Sequence, residues 1–423
     1  MHEWAIGDVF DRLGAAQQRG ITMKRQRIFW LILAVICLGS GRVVLADDDA
    51  LPVDQVAALG RQLETTFNAG DGATATGLLD VDALLDRTMQ GITAPAQFQN
   101  AFRDGFERGA TIMSSLVKAT TNGGGYRFLR VRKVQGETRA LCRLLSKEGG
   151  LNYHDWIVGK DAQGQMKFVD FYVATSGETM SQTLRRLYLS AAIRANLGML
   201  NQLNERDKEY VASVTKIAQL FRDVQASRYN DAMSVYKTMT PAVQESKPVM
   251  VMRVTVTEKL RKQAPEDYAK AITDFERLFP GDPSLDLLCL NEFIDEKKFA
   301  EAHQSLDRLE RFTGGDPYLQ YMRGNLFMIE GGAENFAAAK KMFQDSIDAE
   351  PTLHRPYWGL VTLSLKTRDF DQTAAMLEEI HRKLHVRIAN LTVIPLYAEF
   401  VKSDAYSKWK AAYDAEGAGA TTQ

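Results

Sequence analysis

The 423-residue chain contains few of the features by which enzymes and metalloproteins are recognised. Its three cysteines have no spacing that is typical of a metal site or a disulfide framework. The chain has no G-x-S-x-G, P-loop, G-x-G-x-x-G or H-E-x-x-H motif, and its formal charge of −1 offers no basic surface to nucleic acid. The sequence therefore predicts no metal, no cofactor, no catalytic residue and no nucleic-acid partner.

A long hydrophobic run is also missing, although a short one occurs near the beginning. A cationic stretch at 24–27 is followed by an apolar run at 28–39, and small residues lead to Ala46 before an acidic stretch. This order is typical of a secretory signal peptide, which we place at residues 23–46 with cleavage after Ala46. We therefore expect a periplasmic or otherwise extracytoplasmic protein.

The length of the apolar run separates a signal peptide from a membrane anchor. The run has 12 residues, whereas a helix needs roughly 20 to span a bilayer. The mature chain is therefore expected to have no stable membrane span, and an uncleaved anchor is the alternative. On the signal-peptide interpretation, Met23 begins the protein and residues 1–22 are an artefactual upstream extension.

The second half of the sequence contains a repeated helical pattern. An aromatic residue, a small residue three positions later and a large residue four positions beyond that recur five times. These triplets are Tyr229, Ala232, Tyr236; Tyr268, Ala271, Phe275; Phe299, Ala302, Leu306; Phe336, Ala339, Phe343; and Phe370, Thr373, Leu377. Positions i, i+3 and i+7 share one helical face, so each triplet predicts a helix that crosses a neighbour closely. Pro283, Pro317 and Pro351, spaced by 34 residues, separate the units.

This pattern resembles the tetratricopeptide repeat, a helix-turn-helix unit of about 34 residues. The resemblance covers residues 207–386 and implies that helical pairs stack into a solenoid whose groove binds a protein or peptide partner. Residues 387–415 are expected to cap the last unit with a final pair of helices that carries Leu396, Phe400, Tyr406 and Trp409. A generic antiparallel helical array is the alternative.

The same resemblance suggests residues that contact the partner. In the family, asparagines that face the groove often bind a peptide backbone or a carboxylate, which implies this role for Asn325. Arg323, His354 and Arg355 are nearby basic candidates. An exposed polar residue without a partner is the competing interpretation.

Residues 50–190 follow a different pattern, in which helices precede strands. The sequence predicts helices at 53–67, 73–90 and 97–120, strands at 126–134, 137–146, 151–159 and 166–175, and a further helix at 176–203. Turn residues about every ten positions indicate a four-stranded antiparallel meander. This order resembles the nuclear transport factor-like cone fold, with a cystatin-like or other α+β arrangement as the alternative. The predicted fold class is therefore an α+β module followed by an all-α, repeat-like solenoid.

The third and fourth strands contain the side chains most suggestive of a ligand pocket. Alternation places Tyr153 and Asp155 on one face of the sheet, with His154 and Trp156 on the other. On the fourth strand Phe168, Asp170 and Tyr172 are predicted to share a face. Asp155, Asp170, Tyr153 and Tyr172 are thus the candidate ligand-binding residues.

Two interpretations of the aspartates remain open at the level of sequence. Asp155 and Asp170 are placed to converge with Arg139 and Arg143, and in a concave pocket two such carboxylates support acid–base chemistry when burial separates their pKa values. Alternatively, they form cross-strand pairs on a half-solvated sheet. The favoured function is an exported, non-catalytic scaffold that binds another protein in the bacterial cell envelope. The alternative is a small-ligand-binding or weakly enzymatic N-terminal cone, with the repeats as an assembly platform.

Overall fold

The computed structural model describes residues 51–109, 112–120, 124–147, 149–194 and 205–419. The predicted signal peptide and the residues before it lie outside these ranges. The described residues fold into two compact units, the first ending at Leu288 and the second beginning at Cys289. The boundary between them lies inside a helix, Pro283–Asp295.

The first unit begins with helices and continues with an antiparallel sheet, as predicted. The helices are α1 (Val53–Asn68), α2 (Gly72–Gly77), α3 (Val81–Met89), α4 (Ala96–Gly109) and α5 (Ile112–Thr120). The strands are β1 (Gly125–Val134), β2 (Glu137–Leu145), β3 (Leu151–Lys160), β4 (Met166–Val173) and β5 (Glu178–Thr179), and they lie side by side in chain order. Gln135 and Gly136 have φ of 52° and 86°, as a two-residue hairpin turn requires.

The helix predicted at 73–90 is two helices, because tertiary contacts interrupt it. Leu78 and Phe168 form a backbone hydrogen bond of 3.0 Å, and the Asp80 N–H donates to the Phe168 carbonyl at 2.8 Å. The Asp80 carboxylate then caps α3 by accepting the Ala83 N–H at 2.9 Å. Pairing with β4 thus replaces helical hydrogen bonds over this short stretch.

The sheet has a fifth strand that the sequence pattern did not predict. β5 contains two residues and pairs with Tyr172 and Val173 of β4. A strand of this length has no periodicity from which it can be recognised. The helix that follows, α6 (Met180–Arg194), begins four residues later than the start predicted at 176.

One face of the sheet forms the apolar core of the first unit. The buried core residues include Val56, Leu59, Leu63, Phe67, Met113 and Val117 from α1 and α5, and Tyr126, Ala140, Cys142, Leu144, Trp156, Val158, Phe168, Phe171 and Val173 from the strands. The Trp156 and Phe171 rings stack with centroids 4.2 Å apart. The free thiol of Cys142 is buried here, as expected of a small apolar residue.

The prediction that Phe168 shares a face with Asp170 is wrong, because β3 and β4 change register. Asp170 lies opposite Ile157, but Phe168 lies opposite Val158, so β4 contains one additional residue at this point. Such a bulge moves the side chains on one side of it to the other face. Phe168 therefore joins the apolar core.

Helices complete the first unit. They are α7 (Glu205–Ala212), α8 (Val214–Gln225), α9 (Tyr229–Lys237), α10 (Pro241–Gln244), α11 (Lys247–Leu260), α12 (Pro265–Leu278) and the first part of α13 (Pro283–Asp295). Helix α8 packs against α9, α9 against α11, and α11 against α12.

The second unit is a series of helices. They are the end of α13, α14 (Phe299–Thr313), α15 (Pro317–Glu330), α16 (Ala333–Ala349), α17 (His354–Thr367), α18 (Phe370–Leu384) and α19 (Asp404–Gly419). From α14 to α19 each helix packs against the next in the chain, and α15 also packs against α17. This pattern is compatible with a helical solenoid. The predicted fold class, α+β followed by all-α, is confirmed.

The small residues of the five triplets lie where helices cross. Ala232, Ala271, Ala302, Ala339 and Thr373 have no exposed surface. In the second unit Phe343 of α16 fills the space between two glycines of flanking helices. A Cβ at Gly324 of α15 would lie 2.6 Å from the Phe343 ring, and a Cβ at Gly359 of α17 would lie 2.7 Å from it. Close helix packing here therefore depends on glycine.

The C-terminal cap is helical only in its second half. Three short 3-10 turns, Leu391–Val393, Pro395–Tyr397 and Phe400–Lys402, precede α19. The prediction of a helical pair is wrong for its first member, because Pro395 lacks the N–H that an α-helix interior needs. Phe400, Tyr406 and Trp409 are buried as expected, whereas Leu396 is 39% exposed and Tyr397 is buried in its place.

The packing of Phe343 predicts the effect of a single methyl group. Gly324→Ala places its Cβ against a fully buried ring and is expected to lower the free energy of unfolding by about 1–3 kcal/mol. Gly105→Ala is the control, because that position in α4 has nothing within 4 Å of the added Cβ. Gly105→Ala is expected to stabilise the chain by roughly 0.5–1 kcal/mol. Urea unfolding measures the free energy of unfolding of both variants, and equal changes in the two would contradict the close packing of Phe343 against Gly324.

Candidate functional site

The second face of the sheet has charged side chains that are buried. Arg139, Arg143, Asp155 and Asp170 are each less than a tenth exposed. The strand register places Asp155 opposite Tyr172, and Asp170 opposite Ile157, so both aspartates share this face. The structure therefore contradicts the interpretation of this face as a half-solvated surface with weak cross-strand ion pairs. Buried charges need partners within the protein.

Asp155 binds two arginines from neighbouring strands. Arg132 of β1 donates two hydrogen bonds to it, from Nε at 3.1 Å and from a terminal nitrogen at 2.9 Å. Arg139 of β2 donates a third at 3.2 Å and also binds Glu137 at 2.6 Å. Alternation places Arg139 here, whereas Arg132 comes from a strand that the sequence did not connect with Asp155. Hydrogen-bonded ion pairs of this kind are strong and directional.

Asp170 has a separate set of partners at the start of α6. Its carboxylate accepts the backbone N–H of Phe171 at 2.8 Å and of Ser181 at 3.0 Å, and it accepts the Ser181 hydroxyl. Arg87 of α3 lies 3.4 Å away. Burial raises the pKa of Asp170, and the opposing effects of the Ser181 hydroxyl and Arg87 do not restore it.

The four predicted ligand-binding residues thus have structural contacts. Among the described residues, no hydrogen bond or ion pair joins Asp155 to Asp170, and each carboxylate is occupied by its own donors. Tyr153 is fully buried. The Tyr172 hydroxyl donates to Asp282 at 3.1 Å. Acid–base chemistry requires a group within reach of a substrate proton, and these contacts instead hold the elements of the first unit together.

His154 lies in the apolar core and belongs to a hydrogen-bond network there. Its Nδ1 is 3.0 Å from the Tyr126 hydroxyl, which also accepts the Trp156 indole N–H at 2.7 Å. Burial lowers the pKa of His154 to about 3, so the ring is neutral at physiological pH.

The protonated nitrogen of His154 follows from its neighbour Asn152. The Asn152 side-chain carbonyl accepts the N–H groups of Tyr153 and Thr175, so its amide nitrogen faces His154 Nε2 at 3.4 Å. Nε2 therefore accepts, and the single ring proton is assigned to Nδ1, which donates to Tyr126. His154 is a satisfied core residue rather than a general base.

In the second unit, Asn325 lies on the face of α15 whose Tyr318 ring Arg355 covers. Tyr318 is buried there, whereas Asn325 and Arg355 are half-buried. Tyr318, Tyr321 and Asn325 are spaced as i, i+3 and i+7 on α15, so they share a face of that helix. The Arg355 guanidinium of α17 lies over the Tyr318 ring, 5.8 Å from its centroid. We call these four residues the α15–α17 stripe. Asn325 is partly exposed, and its amide has no hydrogen-bond partner in the part of the chain that the structure describes.

The other two basic candidates are placed differently. Arg323 points to the preceding helix, where it binds Asp307 at 2.8 Å and Glu310 at 3.2 Å. His354 is exposed at the first position of α17, next to Arg355. The structure therefore places Asn325 on the face of α15 whose Tyr318 ring Arg355 covers, and it engages Arg323 in packing α14 against α15.

An open cleft in the first unit was not predicted from the sequence. It has a volume of about 570 Å³ and is lined by Glu205, Glu209, Ala242, Glu245, Leu278 and Phe279. Glu209 accepts the Thr240 hydroxyl at 2.6 Å, and Glu205 binds Lys208 at 2.6 Å. Its lining comes from α7, the α10 region and the end of α12, segments that share no local motif. None of the predicted site residues lines the cleft.

No family model matches the chain, and no curated protein sequence matches it either. Within the described residues, no helix combines the length and hydropathy needed to cross a membrane. The same residues contain no cluster of three or more His, Cys, Asp or Glu side chains suited to a metal ion.

The two aspartates are expected to respond differently to amide substitution. Asp155→Asn removes the buried carboxylate that Arg132 and Arg139 share and leaves Glu137 as the remaining carboxylate on Arg139, which costs about 3–5 kcal/mol of unfolding free energy. Asp170→Asn is expected to cost about 1 kcal/mol or less, because burial already disfavours its charged form. Urea unfolding measured at neutral pH tests the order, and an equal or reversed order would contradict these assignments.

His154 predicts an acid-sensitive stability. Its pKa is about 3 in the folded chain and about 6.5 when unfolded. Below pH 6.5 the unfolded chain therefore binds a proton that the folded chain does not, so stability falls as the pH falls, until about pH 3. Between pH 7 and 5 the loss from this residue is about 2 kcal/mol.

The corresponding measurement compares the wild-type chain with His154→Gln. Urea unfolding at pH 7, 6 and 5 is expected to show a shallower pH dependence in the variant, whatever its stability at pH 7. Identical pH dependences in the two proteins would show that His154 is not held neutral.

Proposed function

We propose that the chain is an exported, non-catalytic scaffold whose C-terminal helical pairs, which resemble tetratricopeptide repeats, bind a protein or peptide partner. The observation that carries the proposal is the α15–α17 stripe. It combines the Asn325 amide, which has no hydrogen-bond partner among the residues that the structure describes, with the Arg355 guanidinium, which is held over an aromatic ring. These groups suit the carbonyl oxygens and carboxylates of a peptide.

The packing of the second unit supports this function. Phe343 packs directly against Gly324 and Gly359, so α15 and α17 both pack closely against the helix between them. A rigid surface lowers the entropic cost of binding, because fewer side chains must be ordered when the partner arrives. Trp358 and Phe327 are partly buried beside the core of this unit, and aromatic side chains are enriched in binding surfaces.

The contacts of the first unit support a scaffold more than an enzyme. Asp155 and Asp170 are buried and engaged by Arg132, Arg139 and Ser181. His154 is neutral and lies within the apolar core. The groups that the sequence offers for acid–base chemistry therefore act in folding, and the first unit is assigned a supporting role.

Peptide binding by the stripe is tested with a defined library. The mature chain, residues 47–423, is used to select binders from a displayed random peptide library, and the dissociation constant of the best peptide is measured. The double variant Asn325→Ala, Arg355→Gln is expected to weaken that peptide at least tenfold, because it removes both polar groups.

Arg311→Gln is the matched control, because Arg311 is an exposed arginine on the neighbouring helix α14. It is expected to leave the affinity within twofold of the wild-type value. Failure to select any peptide, or equal affinity of the double variant and the control, would overturn the proposed function.

A further inference from the structure

The turn between β4 and β5 is held by side chains that are distant in sequence. The Ser284 hydroxyl donates to the Ala174 carbonyl at 2.7 Å, across 110 positions. The Lys247 ammonium donates to the Gly177 carbonyl at 2.8 Å, across 70 positions. All four residues belong to the first compact unit. The turn is thus fixed to the beginnings of α11 and α13.

Asp282 is the centre of this arrangement. Its Oδ1 accepts the Ser284 N–H at 3.0 Å at the start of α13. The same oxygen lies within hydrogen-bond distance of the Ser284 hydroxyl, whose one proton is shared between Asp282 and the Ala174 carbonyl. Its Oδ2 accepts the Tyr172 hydroxyl at 3.1 Å and the Lys247 ammonium. One carboxylate therefore links a strand to two helices. We call Tyr172, Gly177, Lys247, Asp282 and Ser284 the Asp282 node.

The node is sheltered from solvent, so water competes weakly for its donors and acceptors. The Asp282 and Lys247 side chains are 11% and 16% exposed. Lys247 also lies over the Phe279 ring, 5.1 Å from its centroid. Removing one member of such an ion pair leaves the other charge buried and poorly solvated, which lowers the free energy of unfolding.

Gly177 shows how closely the turn fits against the helices. Its φ is +70°, and a Cβ there would lie 2.6 Å from Lys247 Cδ and 2.7 Å from the Ser284 hydroxyl. A side chain at this position is opposed both by the backbone conformation and by the two helices. The turn is therefore shaped for this contact.

We propose that the Asp282 node is a conformational lock that makes the sheet and helices α8–α12 open as one cooperative unit. Breaking the node lets the two parts open separately. The start of α13 belongs to the same arrangement, since Asp282 accepts the Ser284 N–H there. This inference concerns the first unit and does not depend on the proposed function.

Asp282→Asn breaks the node while keeping the helix cap. Asparagine caps a helix about as well as aspartate. Its amide nitrogen, however, is a donor only, so it cannot replace the oxygen that accepts hydrogen bonds from Tyr172 and Lys247. Asp369→Asn is the matched control, because Asp369 caps α18 by accepting the Gln372 N–H at 3.1 Å at an exposed position.

Native-state hydrogen exchange in low urea measures whether the sheet and helices α8–α12 open together or separately. Protection factors are compared for the most protected amides of the sheet, 137–173, and of α11 and α12, 247–278. In the wild-type chain and in Asp369→Asn the two sets are expected to agree within threefold. In Asp282→Asn they are expected to differ at least tenfold.

Several results overturn the proposal. Independent opening in the wild-type chain would do so, as would equal losses of protection in both sets, or no loss, in Asp282→Asn. If that variant does not fold, Tyr172→Phe replaces it, because it removes one hydroxyl and keeps the ion pair. The two sets are then expected to differ by more than the threefold range of the wild-type chain, and protection factors that still agree within that range overturn the lock.

Discussion

Because the central strands are buried on both faces, each polar side chain on them must find its partners inside the protein. One face is apolar apart from the network of Tyr126 and His154, and the other contains Asp155, Asp170 and several arginines. A buried polar group without a partner costs several kcal/mol. The contacts between strands, α3, α6 and α13 follow from this constraint, since those helices supply the donors and acceptors that the sheet needs.

A second constraint acts in the helical part, where space rather than charge is limiting. Phe343 occupies the gap between α15 and α17 only because positions 324 and 359 have no Cβ. The small residue of each triplet serves the same purpose in the other helical pairs. Periodic apolar residues decide which face of a helix is buried, and the small residues decide how closely two helices approach.

Local patterns predicted the elements well, and contacts between distant elements poorly. Strand boundaries agree to within two residues because turn glycines such as Gly136 mark them. Pairing with β4 explains three features that the sequence did not predict. These are the helix interruption at 78–80, the two-residue strand β5, and the bulge that turns the Phe168 side chain to the other face of the sheet. No periodicity within one segment contains that information.

The candidate sites follow the same rule. Alternation correctly places Asp155 and Asp170 on one face, but it gives no sign that Arg132, Ser181 and Asp282 complete the contacts of that face. Similarly, Arg323 and Asn325 are two positions apart in sequence, which on a helix turns them to different sides. Their side chains consequently serve different purposes, one in packing α14 and one at the surface.

The division of polar groups between the two units bears on the kind of function the chain can have. In the first unit the charged side chains that would suit catalysis are buried and compensated, so using them would cost the free energy that their partners provide. In the second unit Arg355 rests on an aromatic ring and the Asn325 amide has no partner among the described residues. On the proposed function, groups of this kind would meet a partner without first breaking the contacts that hold the first unit together, which is a property that a binding surface requires.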